Sequence, residues 1–354
     1  MTRLRVLLVL TGLGALMTGV PVSAQVMGPD VGGQPATAQS APAMLLLENA
    51  ARAWRTRTWS GTQEIVSTRS GEPRLAVLRI QHAPGVGSAV RVVSSDSQAE
   101  QAVAADILDE KLLRLLGDHY ELRVAGREGW AGRAADVVEA RRPGTSGEAA
   151  LAGRFWLDRE TGLVLRRDVL DEAGSVVRSS AFVDLEVLPV AASTPVGYAE
   201  GKLVGPTGQH LDEVALARMS EDGWPVVREL PGRMELFESR LHDADGGDVL
   251  QLSYSDGLST LSLFVQKGEL PADTAGSVQS MGGATVRVWQ SDLERVVWSG
   301  DGRTWTLVSD APESVVGAAV GALPHAPARD EVDGLAPRIW RGMSRVGSWL
   351  NPFE

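Results

Sequence analysis

The sequence predicts an α+β protein that is mostly β, built from two successive antiparallel blocks with a few helices. Three observations predict it. Period-two alternation recurs from Trp59 to Leu188. It stops in a stretch rich in Pro, Ala, Ser, Thr and Gly, Pro189 to Pro206, and resumes near Trp224-Pro225-Val226-Val227. No internal repeat of roughly 20–50 residues occurs, which excludes solenoids and propellers.

The chain opens with Arg3 and Arg5, an apolar run from Val6 to Val20, and Pro21-Val22-Ser23-Ala24. That is the layout of a secretory signal peptide, since the run is shorter than the ~20 residues of a membrane span. Residues 1–24 are therefore read as cleaved, and 25–43 as a flexible leader. Met44 to Arg55 has apolar residues at 45, 46, 50, 53 and 54, an amphipathic helix. Strands are expected at Trp59–Val66, Arg74–Ile80, Tyr120–Val124, Ala135–Glu139, Phe155–Asp158, Leu163–Val169 and Val176–Leu188, with a second helix at Glu110–Leu116. Asp158-Arg159-Glu160-Thr161-Gly162 and Asp171-Glu172-Ala173-Gly174 supply tight turns. Residues 44–188 form the first domain, 189–206 a linker and 207–325 a smaller α+β domain.

That second domain reads as strands at Met234–Leu241, Asp248–Tyr254, Ser259–Gln266, Thr285–Trp289, Leu293–Trp298 and Trp305–Val308, closed by a helix at Pro312–Leu323. Its Asp256-Gly257 pair is a hairpin-turn signal.

Composition removes most chemistry. The chain has 34 Lys+Arg against 45 Asp+Glu, a net charge of −11, which becomes −13 once Arg3 and Arg5 leave with the signal segment. Such a surface does not suit nucleic acid. No cysteine is present, so disulfides, thiolate metal sites and cysteine nucleophiles are absent. His82, His119, His210, His242 and His325 are scattered, without metal-ligand spacing. The acidic pairs Asp109/Glu110 and Asp243/Asp245 have no partner motif, and Asp243–Asp248 lacks the distal Glu of a calcium loop. No nucleophile elbow or phosphate loop occurs. The expectation is a binding protein with no metal and no cofactor.

The apolar residues point the same way. Ten tryptophans accompany only five phenylalanines and three tyrosines. Indoles line apolar pockets and anchor interfaces, so Trp54, Trp59, Trp130 and Trp156 are the cavity candidates, for a lipid-like ligand. The tail 326–354 carries Ile339, Met343, Val346 and Leu350 at helical spacing, with Trp340, Arg341, Arg345 and Trp349 beside them. A basic amphipathic helix of this kind docks on its own domain, on an anionic membrane surface or on a partner.

Two stretches resemble the RseB/MucB family, extracytoplasmic regulators of the sigma-E envelope-stress system. The first is Phe155-Trp156-Leu157-Asp158 through Thr161-Gly162-Leu163, followed by Asp168-Val169-Leu170-Asp171 and Phe182-Val183-Asp184-Leu185. The second is Tyr254-Ser255-Asp256-Gly257-Leu258 running on to Phe264. Tyr120–Val124 and Gly132–Ala135 are also similar to the family pattern, and the likeness spans about residues 45–310. It implies an open half-barrel sheet crossed by helices, like the carriers LolA and LppX, and a smaller α+β domain after it. It also implies a periplasmic, non-enzymatic function: binding the extracytoplasmic part of an anti-sigma factor, shielding it from proteolysis, and releasing it to a lipid-type signal. The alternative is a lipid or lipoprotein carrier without a signalling partner. Trp156, Asp158, Gly162, Tyr254, Ser255, Asp256, Gly257 and Leu258 are then motif positions with a structural role.

Overall fold

The computed structural model describes residues 36–69, 71–95, 109–144, 149–188, 202–204, 208–244, 247–271, 273–290 and 294–325. The signal segment, most of the linker and the tail with Trp340, Arg341, Arg345 and Trp349 lie outside the described residues.

The first half begins with helix α1 (Ala36–Thr56) and strands β1 (Thr58–Arg69), β2 (Glu72–Ala83) and β3 (Gly87–Ser95). Helix α2 (Glu110–His119) follows, then β4 (Glu121–Trp130), β5 (Arg133–Arg142), β6 (Ala150–Asp158), β7 (Val164–Leu170) and β8 (Val176–Leu188). With β9 (Lys202–Val204) these make one open antiparallel sheet, in the order β4-β5-β6-β7-β8-β1-β2-β3-β9. Its centre is the long-range β1–β8 pairing, which joins two meanders.

The second half has β10 (Gln209–His210), α3 (Glu213–Glu221), β11 (Glu229–Leu230), β12 (Met234–His242), β13 (Val249–Ser255) and β14 (Thr260–Lys267). It ends with β15 (Ser277–Met281), β16 (Ala284–Gln290), β17 (Glu294–Gly300), β18 (Arg303–Ser309) and α4 (Glu313–Ala322). The sheet order is β10-β12-β13-β14-β18-β17-β16-β15, with β11 added on β12. The predicted class, β-rich α+β with an open antiparallel sheet and a second sheet after it, is the observed one.

Several boundaries differ. Helix α1 starts at Ala36 and runs through Pro42, so residues 36–43 belong to it and not to a leader. Its buried face is Ala43, Leu47, Ala50, Ala51 and Trp54. Those positions follow the 3.6-residue period, and Leu45 is 56% exposed. The linker contains β9, paired with β3. Strands β3, β9, β10, β11 and β15 and helix α3 carry too little apolar alternation to be seen in sequence. Asp109, one of the acidic pair Asp109/Glu110, caps α2, accepting the Leu112 N–H at 2.8 Å.

Candidate functional site

The four candidate tryptophans do not line one cavity. Trp54 leaves the end of α1 and meets Trp59 of β1 at 4.5 Å between ring centroids. Trp59 is fully buried, stacked on His82 at 5.7 Å and edge-on to Phe182 at 5.5 Å. Burial holds the His82 imidazole below its usual pKa. Beside Trp54, a cavity of about 10 Å³ lies among Gln63, Phe155, Val164, Arg167 and Phe182. That volume holds about one water, not an acyl chain.

Trp130 and Trp156 sit on the opposite face of the sheet. The reason is strand alternation: Phe155 and Leu157 of β6 enter the core under α1, so Trp156 between them points away. There the Arg166 guanidinium lies 4.5 Å from the Trp130 ring and 4.6 Å from the Trp156 ring. Trp130 donates to the Phe182 carbonyl at 2.9 Å, and Trp156 to Glu128 at 2.7 Å. Both rings pack with Ala135, Val137 and Leu165 on that face.

The first motif is a clasp under α1. Asp158 accepts from Arg133 at 2.8 Å, from the Thr161 N–H at 3.1 Å and from the Thr161 hydroxyl. Gly162 then packs below Ala53 and Asn49 of the helix. Burial alone would raise the Asp158 pKa, but Arg133 and Thr161 outweigh it and hold the carboxyl below its usual range. Glu139 follows the same pattern: burial raises it, while Arg154, Arg123 and Arg141 bring it down on balance.

The second motif is where the two halves meet. Tyr254 belongs to the second core and donates to the Val227 carbonyl at 2.9 Å. The turn after it, Asp256 to Ser259, leaves that core and plugs into the first half. Leu258 is buried in the core formed by α1, α2 and β4–β7. Arg167, itself buried, donates to the Leu258 carbonyl from the first sheet. Gly257 lies against the α2 backbone at Leu115 and Leu116. Asp256 accepts the Leu258 N–H at 2.8 Å, the Ser259 N–H at 2.7 Å and the Tyr120 hydroxyl at 2.5 Å. Ser255 takes the Gly257 N–H at 2.9 Å and donates to the Ser259 carbonyl at 2.7 Å.

Polar groups complete the joint. His119 has one ring nitrogen 3.1 Å from the Asp256 carbonyl and the other 2.9 Å from Glu235. Arg233 donates to the His119 carbonyl at 2.8 Å, and Lys111 to that of Phe237 at 3.1 Å. Arg178 of β8 faces Asp310, beyond β18, at 4.0 Å, both fully buried. Next to the plug a cavity of about 160 Å³ opens, with Leu170, Leu258 and Val315 in its apolar lining and Arg142, Glu172 and Arg233 among its charged residues.

Sequence reasoning read Asp256-Gly257 as a plain hairpin turn and assigned no role to Arg167, Tyr120, Arg178 or Asp310. One signal was available. Arg166-Arg167-Asp168 in succession on a strand must send a charged side chain to each face, so at least one enters the covered side.

The joint has a pH signature. Burial raises the Asp256 carboxyl above its usual range, against the lowering effect of Tyr120, Ser259 and Leu258. A raised folded-state pKa means its stabilising contribution is complete below the unfolded value of roughly 4 and is lost as pH rises. Asp158 and Glu139 act oppositely, contributing above that value and losing it in acid. An Asp256→Asn protein should therefore gain in Tm on the parent as pH rises from about 4 towards neutrality. Thermal melts across that range check this; a constant difference refutes it.

Residues 49–200 match the family model of the MucB/RseB N-terminal domain. Among curated proteins the chain is similar to the sigma factor AlgU regulatory protein MucB of Pseudomonas aeruginosa, 30% identical over 200 residues. That match covers 56% of this chain and 58% of the relative, so it spans little more than half of either protein. Among solved structures, a MucB crystal structure is 21% identical with a TM-score of 0.46, covering 80% of this chain and 98% of the other. The MucA/MucB complex of Pseudomonas aeruginosa is 22% identical with a TM-score of 0.46, covering 81% and 100%.

Proposed function

From the match of residues 49–200 to the MucB/RseB N-terminal domain, we propose that the chain is an exported, non-enzymatic regulator of a sigma-factor pathway. It grips the extracytoplasmic segment of a membrane-spanning anti-sigma factor and shields that segment from proteolysis. The observation that carries this reading is the joint. The family-matched half is fastened to a second sheet by a buried plug, beside a cavity of about 160 Å³. A carrier of one lipid needs a single sheet with a large apolar cavity. This cavity is smaller than the ~300–1,000 Å³ of small-molecule sites and suits one anchoring side chain of a peptide. Arg142, Arg233 and Glu172 would hold the charges of that peptide.

In this reading residues 44–188 and 207–325 are the two halves of the grip and 189–206 connects them. A lipid-type signal acts by favouring a conformer in which α1 has moved, because the cavity beside Trp54 admits only about one water as it stands.

The test is capture from solubilised host membranes with residues 25–354 as bait, followed by mass spectrometry of bound protein and lipid. Recovery of a single-span protein with a cytoplasmic anti-sigma domain, lost with Arg142→Glu/Arg233→Glu bait, is the expected result. Recovery of lipid or lipoprotein without such a partner replaces the regulator with the carrier. Point variants are preferable to truncation after residue 206, which would also remove Leu258 from the first core.

A further inference from the structure

We propose that the outer face of the second sheet carries a binding site for an acidic peptide, in which Arg295 of β17 receives a carboxylate. Strand alternation sets up that face. Val286 and Val288 of β16 and Val296 and Trp298 of β17 enter the core beneath α4. Arg287, Trp289 and Arg295 therefore project from the other side of the sheet. Trp289 stands across from Arg295, and Val297 across from Arg287. The two arginines are thus diagonal neighbours, roughly 7–8 Å apart at the backbone. No acidic residue shares the outward positions of β15 to β18 with them. In a chain of net charge −11 this is a local positive spot.

Arg295 is the anomaly on this face. A charge withdrawn from water is normally paired, because desolvation is costly and a partner is what offsets it. Arg133, Arg141, Arg154, Arg166 and Arg240 are half-buried, and each reaches a carboxylate at 3.0 Å or less. Arg295 is half-buried too, yet among the described residues it has no hydrogen bond and no ion pair, and its Nε atom is enclosed. Burial lowers the pKa of this guanidinium, with no carboxylate acting against it. Its contact is with the Trp289 ring, 5.9 Å from the guanidinium carbon to the ring centroid. A cation–π contact returns only part of the desolvation cost.

The setting suits a carboxylate carried on a side chain. Val308, across from Arg295 on β18, and Val297 on the same strand are buried, so the cation is recessed among apolar groups. A flat lipid surface cannot reach it, whereas an Asp or Glu side chain can. Carboxylate and guanidinium then match through two parallel hydrogen bonds. The Trp289 ring is held in place from the β15 side, where a Cβ on Gly276 would come within 3.0 Å of it. It forms a fixed wall for the apolar stem of the incoming side chain. None of these residues lines the cavity at the joint. The site is separate from the peptide anchor proposed there and does not rest on it.

The test is fluorescence anisotropy of a fluorescein-labelled peptide with four consecutive glutamates, titrated with residues 25–354, beside its four-glutamine counterpart. The glutamate peptide should bind and the glutamine peptide should not. Arg295→Met should weaken binding by about tenfold or more, the loss of one charge-assisted pair. Arg91→Met removes the same charge from an exposed position on β3 and should change binding by less than about twofold. The free Arg295→Met protein should melt above the parent, because it sheds a desolvated charge and keeps an apolar stem. Lost affinity with gained stability separates a lost contact from lost folding. Failure of the glutamate peptide to bind, equal binding of both peptides, or equal losses in the two variants overturns the proposal. So does displacement by inorganic phosphate, or a lower Tm for free Arg295→Met, which would mean that the charge is already satisfied.

Discussion

A Gly257→Ala protein is expected to lose the joint between its two sheets. The backbone at Gly257 has φ +90°, and a Cβ there would overlap the backbone nitrogen and Cα of Leu116 and come within 2.8 Å of the Leu115 carbonyl carbon. The positive φ alone costs an alanine about 1–2 kcal/mol. The overlap is with helix backbone, so no rotamer change relieves it, and either α2 or the plug must withdraw. Withdrawal takes Leu258 from the first core, a loss of about 2–5 kcal/mol by analogy with large-to-small core changes, and leaves the buried Arg167 without the Leu258 carbonyl. Gly174→Ala is the control. Gly174 also has positive φ, at +81°, but a Cβ there meets nothing within 4 Å. Urea unfolding followed by tryptophan fluorescence should show the Gly174 variant within about 2 kcal/mol of the parent and the Gly257 variant down by more than about 4. Equal losses in the two proteins would show that backbone strain, not the plug, sets the cost.

The second large effect is expected at Trp59. It is 0% exposed and contacts Trp54, His82 and Phe182 at once, so Trp59→Ala removes the centre of the aromatic cluster that ties α1 to β1 and β8. Truncating a buried tryptophan costs about 3–5 kcal/mol, and amide exchange along α1 should quicken with it. Trp130→Ala, on the opposite face and only partly buried, should cost less than half as much. A reversed order would mean that the Arg166-filled stack, rather than the cluster beneath α1, is the main aromatic anchor of the sheet.

The parts of this fold that were legible in sequence share a physical trait: one face of the element is buried and the other is wet. That produced the period-two signal in β1, β2, β5, β7 and β8 and the helical signal in α2 and α4. Strand β8 was read to the residue, Val176–Leu188, because turns and alternation agree there. Strands β3, β9, β10, β11 and β15 were missed because they are edges or near-edges, short or exposed, where neighbours and not side-chain pattern supply the pairing. At the site, the motif residues Asp158, Asp256 and Gly257 stood out, but what they touch did not. The tryptophans misled, since Trp54 and Trp156 are equivalent in composition while strand alternation puts Trp156 on the face away from α1.

By itself, the sequence determined the α+β class, the two β blocks and the likeness of residues 49–200 to the MucB/RseB N-terminal domain. All of these are local, being written in periodicity, turn residues and short motifs. Only the tertiary structure decided that the Asp256–Ser259 turn of the second half is buried in the first. It also decided that Asp256 meets Tyr120 and that Arg178 meets Asp310. Those facts depend on groups more than a hundred residues apart being brought within hydrogen-bonding or ion-pair range. Distance along the chain leaves no period to read, and only burial reveals which charges had to find a partner.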